Sequence, residues 1–504
     1  MSSNTAADLK RLRELVAEVN DLDHAGAVLS WDQNVMMPEG GSVARGAAME
    51  TVATIRHQKF TSPEIGQLTE RLAGWAATEP EESIDRCLVE RTAYDWERLR
   101  RVPASLAGEL AGFEALHVPV WLEAREKKDY TIFAPSLQKA VDLQCRLIDY
   151  FEPTESPYDV LLENSEIGMT TAEVKHLFDN VRAGLKPLID KVAANPEAVN
   201  DAPLGEQYPV EKQIALCKEL AAGIGTTSDA WRLDPTVHPF ETRFACTDIR
   251  LTTKYVENDL AVSVGGVNHE FGHGIYERQV SPDLERTGLN QGASLGLHES
   301  QSRTWENQVG RSRPYWQWAH GVFAKHFPEQ AKKYDADTMY RAMNKLFPSL
   351  IRTESDQLTY GMHIILRFEI EQEMITGTLK SKDISESWNA RMKDLLGVEV
   401  PDDKQGVLQD IHWAGGGIGY FSAYLIGNVI SAQAWEAVER DLPGVRDGFA
   451  KGEFAPLRDW QKSHLHRFGR MYGPREMTEK FLGGPISHEP YVRYLTGIVD
   501  EFYS

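Results

Sequence analysis

The chain has 504 residues, 42% of them hydrophobic and 26% charged, a balance that excludes disordered and collagen-like classes and allows a large buried core. Asp and Glu number 75 against 54 Lys and Arg, a formal charge of −21 with no basic run. Such a chain repels nucleic-acid phosphates, so no nucleic-acid partner is expected. Cys87, Cys145, Cys217 and Cys246 stand far apart with no Cys-x-x-Cys pair. This speaks against a disulfide framework or a cysteine zinc site, and for a reducing compartment. The first fifteen residues lack an apolar h-region, so no secretory signal is read and a cytoplasmic location is expected.

In chain order, residues 5–22 place Leu9, Leu12, Leu15, Val16, Val19 and Leu22 at the spacing of an amphipathic helix, with Thr5 and Asp8 as N-cap and third-position acid. Thr170 followed by Glu173 predicts a capping box, and Val174, Leu177, Phe178, Val181, Leu185, Leu188 and Ile189 continue the helical period. Residues 244–255 alternate at Thr247, Ile249, Leu251, Thr253 and Tyr255, which predicts one strand of a small sheet. Residues 362–377 and 383–396 read as helices. Residues 411–435 carry no charge and are long enough to span a bilayer, but they contain His412, Asn428, Gln433 and five glycines. A buried glycine-rich segment is expected there, not a membrane span. Segments 152–158, 193–209 and 398–406, rich in Pro, Asp, Asn and Gly, read as breaks between helices. With no linker or repeat, residues 1–504 are expected to form a single catalytic domain: a large, mostly α-helical body with a little sheet near its middle.

His269-Glu270-Phe271-Gly272-His273 carries the strongest chemical signal. Positions four apart lie on one helix face, so both imidazoles can bind one metal ion. Glu270 is offset from that face and is placed to act as general base on water, the His-Glu-x-x-His arrangement of zinc peptidases. Val267, Phe271 and Ile275 mark a partly buried helix, and Gly272 and Gly274 suggest close approach of a strand or of substrate backbone. The third ligand comes from HESQSRTWE at 298–306: Glu299 is preferred because His-His-Glu is the common set with this motif, and His298 is the alternative. Glu306 is a candidate support for a ligating histidine, or a solvated acid on a helix face.

Further blocks carry a resemblance. They are WDQNVMMPEGG at 31–41, PYDVLLENSEIGMT at 157–170, His238-Pro239-Phe240, DIRLT at 248–252, HEFGH, HESQSRTWEN, IRTESDQLTY at 351–360, and GVLQDIHW at 406–413 followed by Gly419-Tyr420-Phe421. Together, along nearly the whole chain, they resemble the carboxypeptidase Taq family of zinc metallocarboxypeptidases. Ser355, Ser422 and Ala423 depart from the usual pattern in ways that bear on loop shape. The resemblance implies an almost wholly helical body with a deep active-site groove, the metal at its bottom and a small sheet nearby. It also implies a homodimer that releases single residues from peptide C-termini with broad preference.

A carboxypeptidase must grip a free α-carboxylate, and a planar guanidinium suits that task. Arg352 is the first candidate and Arg250 the second, assisting or holding the site together; each has a structural ion pair as its alternative. Donors for the developing oxyanion are Tyr420, His412 and His238. Asp410, Gln409 and Asp356 are expected to orient these groups. One divalent ion per chain is expected, zinc first, with cobalt also suited to the ligands. Two rival readings are a metal-dependent endo-oligopeptidase with the same ligands and a non-catalytic helical peptide-binding protein.

Overall fold

The computed structural model describes residues 2–152 and 155–503. Most of the chain is helical, with one three-stranded sheet near its middle. The first helix, α1, runs from Ser3 to Val35. Its cap is Ser2, whose side chain accepts from the Thr5 amide, so the expected cap at Thr5 lies one turn too late. The helix also runs past the predicted end at residue 22. The apolar stripe thins there, but no proline or cap interrupts the backbone, and Trp31 buries the far end. Leu9, Leu12, Val16 and Val19 are buried as their spacing requires. The capping box at Thr170 and Glu173 is present, and the helix Thr171–Ala193 buries Val174, Leu177, Phe178, Val181, Leu185 and Ile189.

The strand predicted over 244–255 is corrected to two. β2 (Glu241–Ala245) and β3 (Asp248–Thr253) are joined by a turn at Cys246 and Thr247, and β1 (Trp231–Pro235) completes the sheet. The order is β1-β3-β2, with β1 parallel and β2 antiparallel to β3. Alternation persists through a tight turn, so periodicity alone did not expose it, and β1 is too short and polar to stand out. Paired residues share a face. Trp231, Leu233, Ile249, Leu251, Arg243 and Glu241 line one side; Arg232, Arg250 and Thr242 line the other.

The first of those faces packs on α2 (Leu260–Gln279), the helix that carries the histidine motif. Asp259 caps it through the amides of Ala261 and Val262, and Trp231 stacks on Phe271 with ring centroids 5.7 Å apart. Next come α3 (Leu295–Arg303), α4 (Tyr360–Thr376) and α5 (Ser422–Asp441). The helices predicted at 362–377 and 383–396 are observed as α4 and Ile384–Leu396. Almost all of α5 is buried, in keeping with the reading of the uncharged segment, and no helix among the described residues is long and apolar enough to cross a membrane. Segments 193–209 and 398–406 are breaks between helices, the first holding one short 3-10 turn, Ala202–Gly205; of 152–158, residues 153 and 154 lie outside the described residues.

Two glycines let α2, α3 and α5 approach closely. A Cβ on Gly272 would lie 2.3 Å from the Gln301 carbonyl oxygen and 2.5 Å from the Ser302 Cα, so α2 and α3 cross with backbone against backbone. A Cβ on Gly427 of α5 would lie 2.6 Å from Cβ and Cγ of Glu299. The expected strand approach holds at Gly274, which faces Leu251, Trp231 and Ile249. Gly272→Ala should therefore force α2 and α3 apart and cost roughly 1–3 kcal/mol, as overpacking does. Thermal or denaturant unfolding measures this, and an unchanged transition would contradict the packing described.

Candidate active site

α2 presents His269 and His273 on one face, and α3 crosses it at Gly272 to deliver Glu299. Oε2 of Glu299 lies 3.4 Å from His273 Nε2 and 3.7 Å from His269 Nε2. All three donor atoms fall within 4.8 Å of one another. Four-coordinate zinc with bonds of about 2.0–2.2 Å requires donors about 3.3–3.6 Å apart, so spacing and chemistry both fit a divalent ion. Among the described residues these three form the one such group. His298 offers no atom to the same point: its Nδ1 meets His273 Nδ1 at 2.6 Å, and its Nε2 lies 3.0 Å from Glu277 Oε1.

Both imidazoles are oriented from behind. His269 Nδ1 lies 2.9 Å from Glu306 Oε2, and His273 is held through His298 by Glu277. Each arrangement leaves Nε2 turned toward the metal point. Glu306 sits on a seven-residue π-helix, Thr304–Gly310, into which α3 passes. Arg303 bridges the two acids, with Nε 2.6 Å from Glu299 Oε1 and Nη1 3.0 Å from Glu306 Oε2. Burial opposes charge on both carboxyls, but Arg303 and the histidines hold them well below the usual carboxylate range. On His269 burial is outweighed by Glu299 and Glu306, which raise it; on His273 burial prevails and pushes it down to about 3. Glu270 is buried, accepts no hydrogen bond from the described residues, and is pushed up by burial to about 7.

A second charged cluster lies beside the first. Arg352 is 6% exposed and donates to Asp410 from Nε at 3.2 and 3.1 Å and from Nη2 at 2.8 Å. Its Nη1 lies 3.2 Å from the Tyr360 hydroxyl, and Tyr360 in turn stacks on Arg303 at 4.5 Å. Tyr420, 37% exposed, packs against His412 and Tyr424 with ring centroids 5.8 and 5.4 Å away. Burial raises the Tyr420 phenol, and the charges of Glu299 and Arg352 both reach it. Burial, with Arg352, pushes His412 down to about 4. His238 is exposed in the loop between β1 and β2; its neighbour Pro239 lies near Gly266, one turn before His269, where an added Cβ would be 4.0 Å from Pro239 Cγ. Arg250 is placed apart. Strand alternation turns it to the sheet face away from α2, where it pairs with Asp248 and sits 4.4 Å from the rings of both Trp31 and Phe244.

Expected orienting roles divide similarly. Asp410 and Gln409 both touch Arg352: Asp410 accepts from its guanidinium, and Gln409 Oε1 accepts from the Arg352 backbone amide at 2.9 Å. Asp356 instead caps its own turn by accepting from Phe347, Leu358 and Thr359 amides. Sequence reasoning missed Arg303, Tyr360, Tyr424 and Glu277. Arg303 was within reach, four residues after Glu299 and three before Glu306 on a predicted helix; Glu277 likewise follows His273 by four. A cavity of about 930 Å³ opens between α1 and the sheet and is lined by Asn20, Phe60, Tyr94, Thr242, Arg243 and Glu277.

A His-Glu-x-x-His helix crossed by a helix that brings Glu299 to both imidazoles forms a candidate site for a divalent ion, as in metallopeptidases. The chain belongs to the carboxypeptidase Taq (M32) metallopeptidase family, whose pattern matches residues 11–499. Thermostable carboxypeptidase 1 of Thermus thermophilus is 36% identical over 504 residues, covering 97% of this chain and 98% of that protein. Carboxypeptidase 1 of Bacillus subtilis is 32% identical, covering 98% of each. The M32 carboxypeptidase of Deinococcus radiodurans has the same fold, with a TM-score of 0.95 at 36% identity over 99% of both chains. That of Pyrococcus furiosus gives 0.94 at 34% identity. The chain is thus a metallocarboxypeptidase, a hydrolase of peptide bonds.

Removing a ligand leaves an incomplete coordination shell. His269→Ala, His273→Ala and Glu299→Ala should each lose bound metal after dialysis, measured by elemental analysis. Full occupancy in Glu299→Ala, with loss in His298→Ala, would contradict the ligand set.

Proposed function

We propose that this enzyme releases single amino acids from the free C-termini of peptides, with broad preference, and that residues 1–504 act as one catalytic unit. His269, His273 and Glu299 hold the ion. Zinc is the default for two imidazoles and a carboxylate, and cobalt suits the same donors. When bound there, a divalent ion supplies Lewis-acid activation of water and of the scissile carbonyl.

The chain's own residues do the rest. Glu270 is the general base: it takes a proton from the attacking water and passes it to the leaving amine nitrogen. Support comes from its unpaired carboxylate and from burial, which brings its basicity near neutrality. Tyr420 and His412 donate to the oxygen on which negative charge develops, and His238 approaches from the loop over α2. Arg352 grips the terminal carboxylate. Of its five N–H donors, Asp410 takes one on Nε and one on Nη2, and Tyr360 takes one on Nη1; one hydrogen remains on each Nη. A carboxylate held there fixes which peptide bond meets Glu270. That free pair of donors, beside the metal ligands, is the observation that carries the exopeptidase reading over the endo-oligopeptidase one. Arg250 acts at a distance, fastening the sheet to α1 through Trp31.

Four free cysteines suit a cytoplasmic enzyme. The homodimer follows from the family resemblance, and light scattering tests it.

Glu270→Gln should keep its metal and lose turnover by about 10²–10⁴-fold; a metal-free variant or a near-normal rate would exclude the base. Amidating the substrate C-terminus removes a charge-assisted interaction of about 1.5–3 kcal/mol, so kcat/KM should fall by roughly ten- to more than a hundred-fold. Equal cleavage of acid and amide, with internal bonds cut, would favour the endo-oligopeptidase.

A further inference from the structure

Asp410 is shared. Besides Arg352, it accepts from Nε of Arg367 at 2.8 Å and from Nη2 of Arg367 at 2.5 Å. Arg367 belongs to α4, is fully buried, and stacks 4.5 Å from the Trp388 ring. Two more of its five donors go to the Gln409 side chain at 2.9 Å and the His363 carbonyl at 2.7 Å. It is thus screened from the groove and offers nothing to a substrate.

Burying a second guanidinium is costly and needs a reason. Charge balance gives one. A one-to-one Arg352–Asp410 pair is neutral and has little pull on a substrate carboxylate. With two guanidiniums on one carboxylate, the cluster keeps one net positive charge. The groups around it do not cancel that charge. Burial pushes His363 and His412 down to about 3 and about 4, so both rings are neutral. Glu371, one turn along α4, is committed to the Tyr158 hydroxyl, the Trp413 indole and the Gly419 amide, and burial pushes it up to about 7. Burial lowers Arg367 only to about 10, so it stays charged at neutral pH. Glu299 and Glu306 face two guanidiniums of their own, Arg303 on both acids and Arg311 3.4 Å from Glu306.

We propose that Arg367 is a positioning and specificity-determining residue: by sharing Asp410 it leaves Arg352 with unneutralised charge for the substrate's terminal carboxylate. This rests on the reading of Arg352 as the carboxylate-binding group. The geometry also gives Asp410 a role: it fixes the inner edge of the Arg352 fork while its own charge is drawn off from behind.

The test measures kcat and KM on one peptide as free acid and as amide, in four variants of the metal-loaded enzyme. Arg367→Gln should raise KM on the free acid and lower the acid-to-amide ratio of kcat/KM by ~10-fold or more, the scale of a charge-assisted contact, while the amide rate changes little. Arg367→Lys keeps the charge and should keep most of the ratio. Arg367→Gln combined with Asp410→Asn restores one net positive charge and should regain the ratio, which a merely structural role would not do. Arg352→Gln separates the two readings. If it leaves the ratio intact, the carboxylate role of Arg352 fails. If it abolishes the ratio while Arg367→Gln does not, only the inference about Arg367 fails. Equal losses on acid and amide in Arg367→Gln, or a folded double variant that does not regain the ratio, would also overturn it. Should Arg367→Gln not fold, as judged by circular dichroism, Arg367→Lys and the double variant decide on the same ratio.

Discussion

Glu270 and Glu299 are buried and Glu306 is half-buried within reach of two imidazoles, and Arg303 is the cation that makes this tolerable. An unpaired buried carboxylate would cost several kcal/mol or take up a proton, and a protonated Glu299 would be a poor ligand. Arg303 keeps Glu299 and Glu306 ionised and leaves Glu270 without a partner. α2 and α3 must then approach closely, which Gly272 allows, and Gly427 lets α5 pack directly on the Glu299 side chain. Packing, electrostatics and metal chemistry here are one constraint.

Tyr360 joins this centre to the second charged cluster. One side of its ring meets Arg303, and its hydroxyl meets Arg352. The separation of the two clusters is therefore bridged by an aromatic on α4, not by a loop. If Arg352 grips the terminal carboxylate as proposed, such rigid spacing suits release of one residue from the end of a peptide. Tyr420 and Tyr424 close the same wall from the start of α5, and the loop before them is tied down by Glu371.

Much of this was legible in the sequence, for identifiable reasons. The four-residue spacing of His269 and His273 holds on any helix, and the capping box at Thr170 is a local pattern that tertiary context did not override. Glu299 required a known ligand preference, since a separation of 26 residues carries no geometry. The split of 244–255 into two strands was hidden because a tight turn preserves alternation. Arg250 stood as the second candidate after Arg352 in one dimension; only the strand's two-residue period, set against α2, places it on the opposite face. Charge sharing at Asp410 was invisible for the same reason: Arg352, Arg367 and Asp410 meet only in the fold.

The most direct measurement of the whole arrangement is mass spectrometry of the products from an unblocked peptide of ten or so residues, with and without a chelator. The proposed metal site and Arg352 anchor should give a ladder of successive single-residue losses from the C-terminus, abolished by the chelator and restored by zinc. Internal cleavage products, or a ladder that persists unchanged in the chelator, would contradict it.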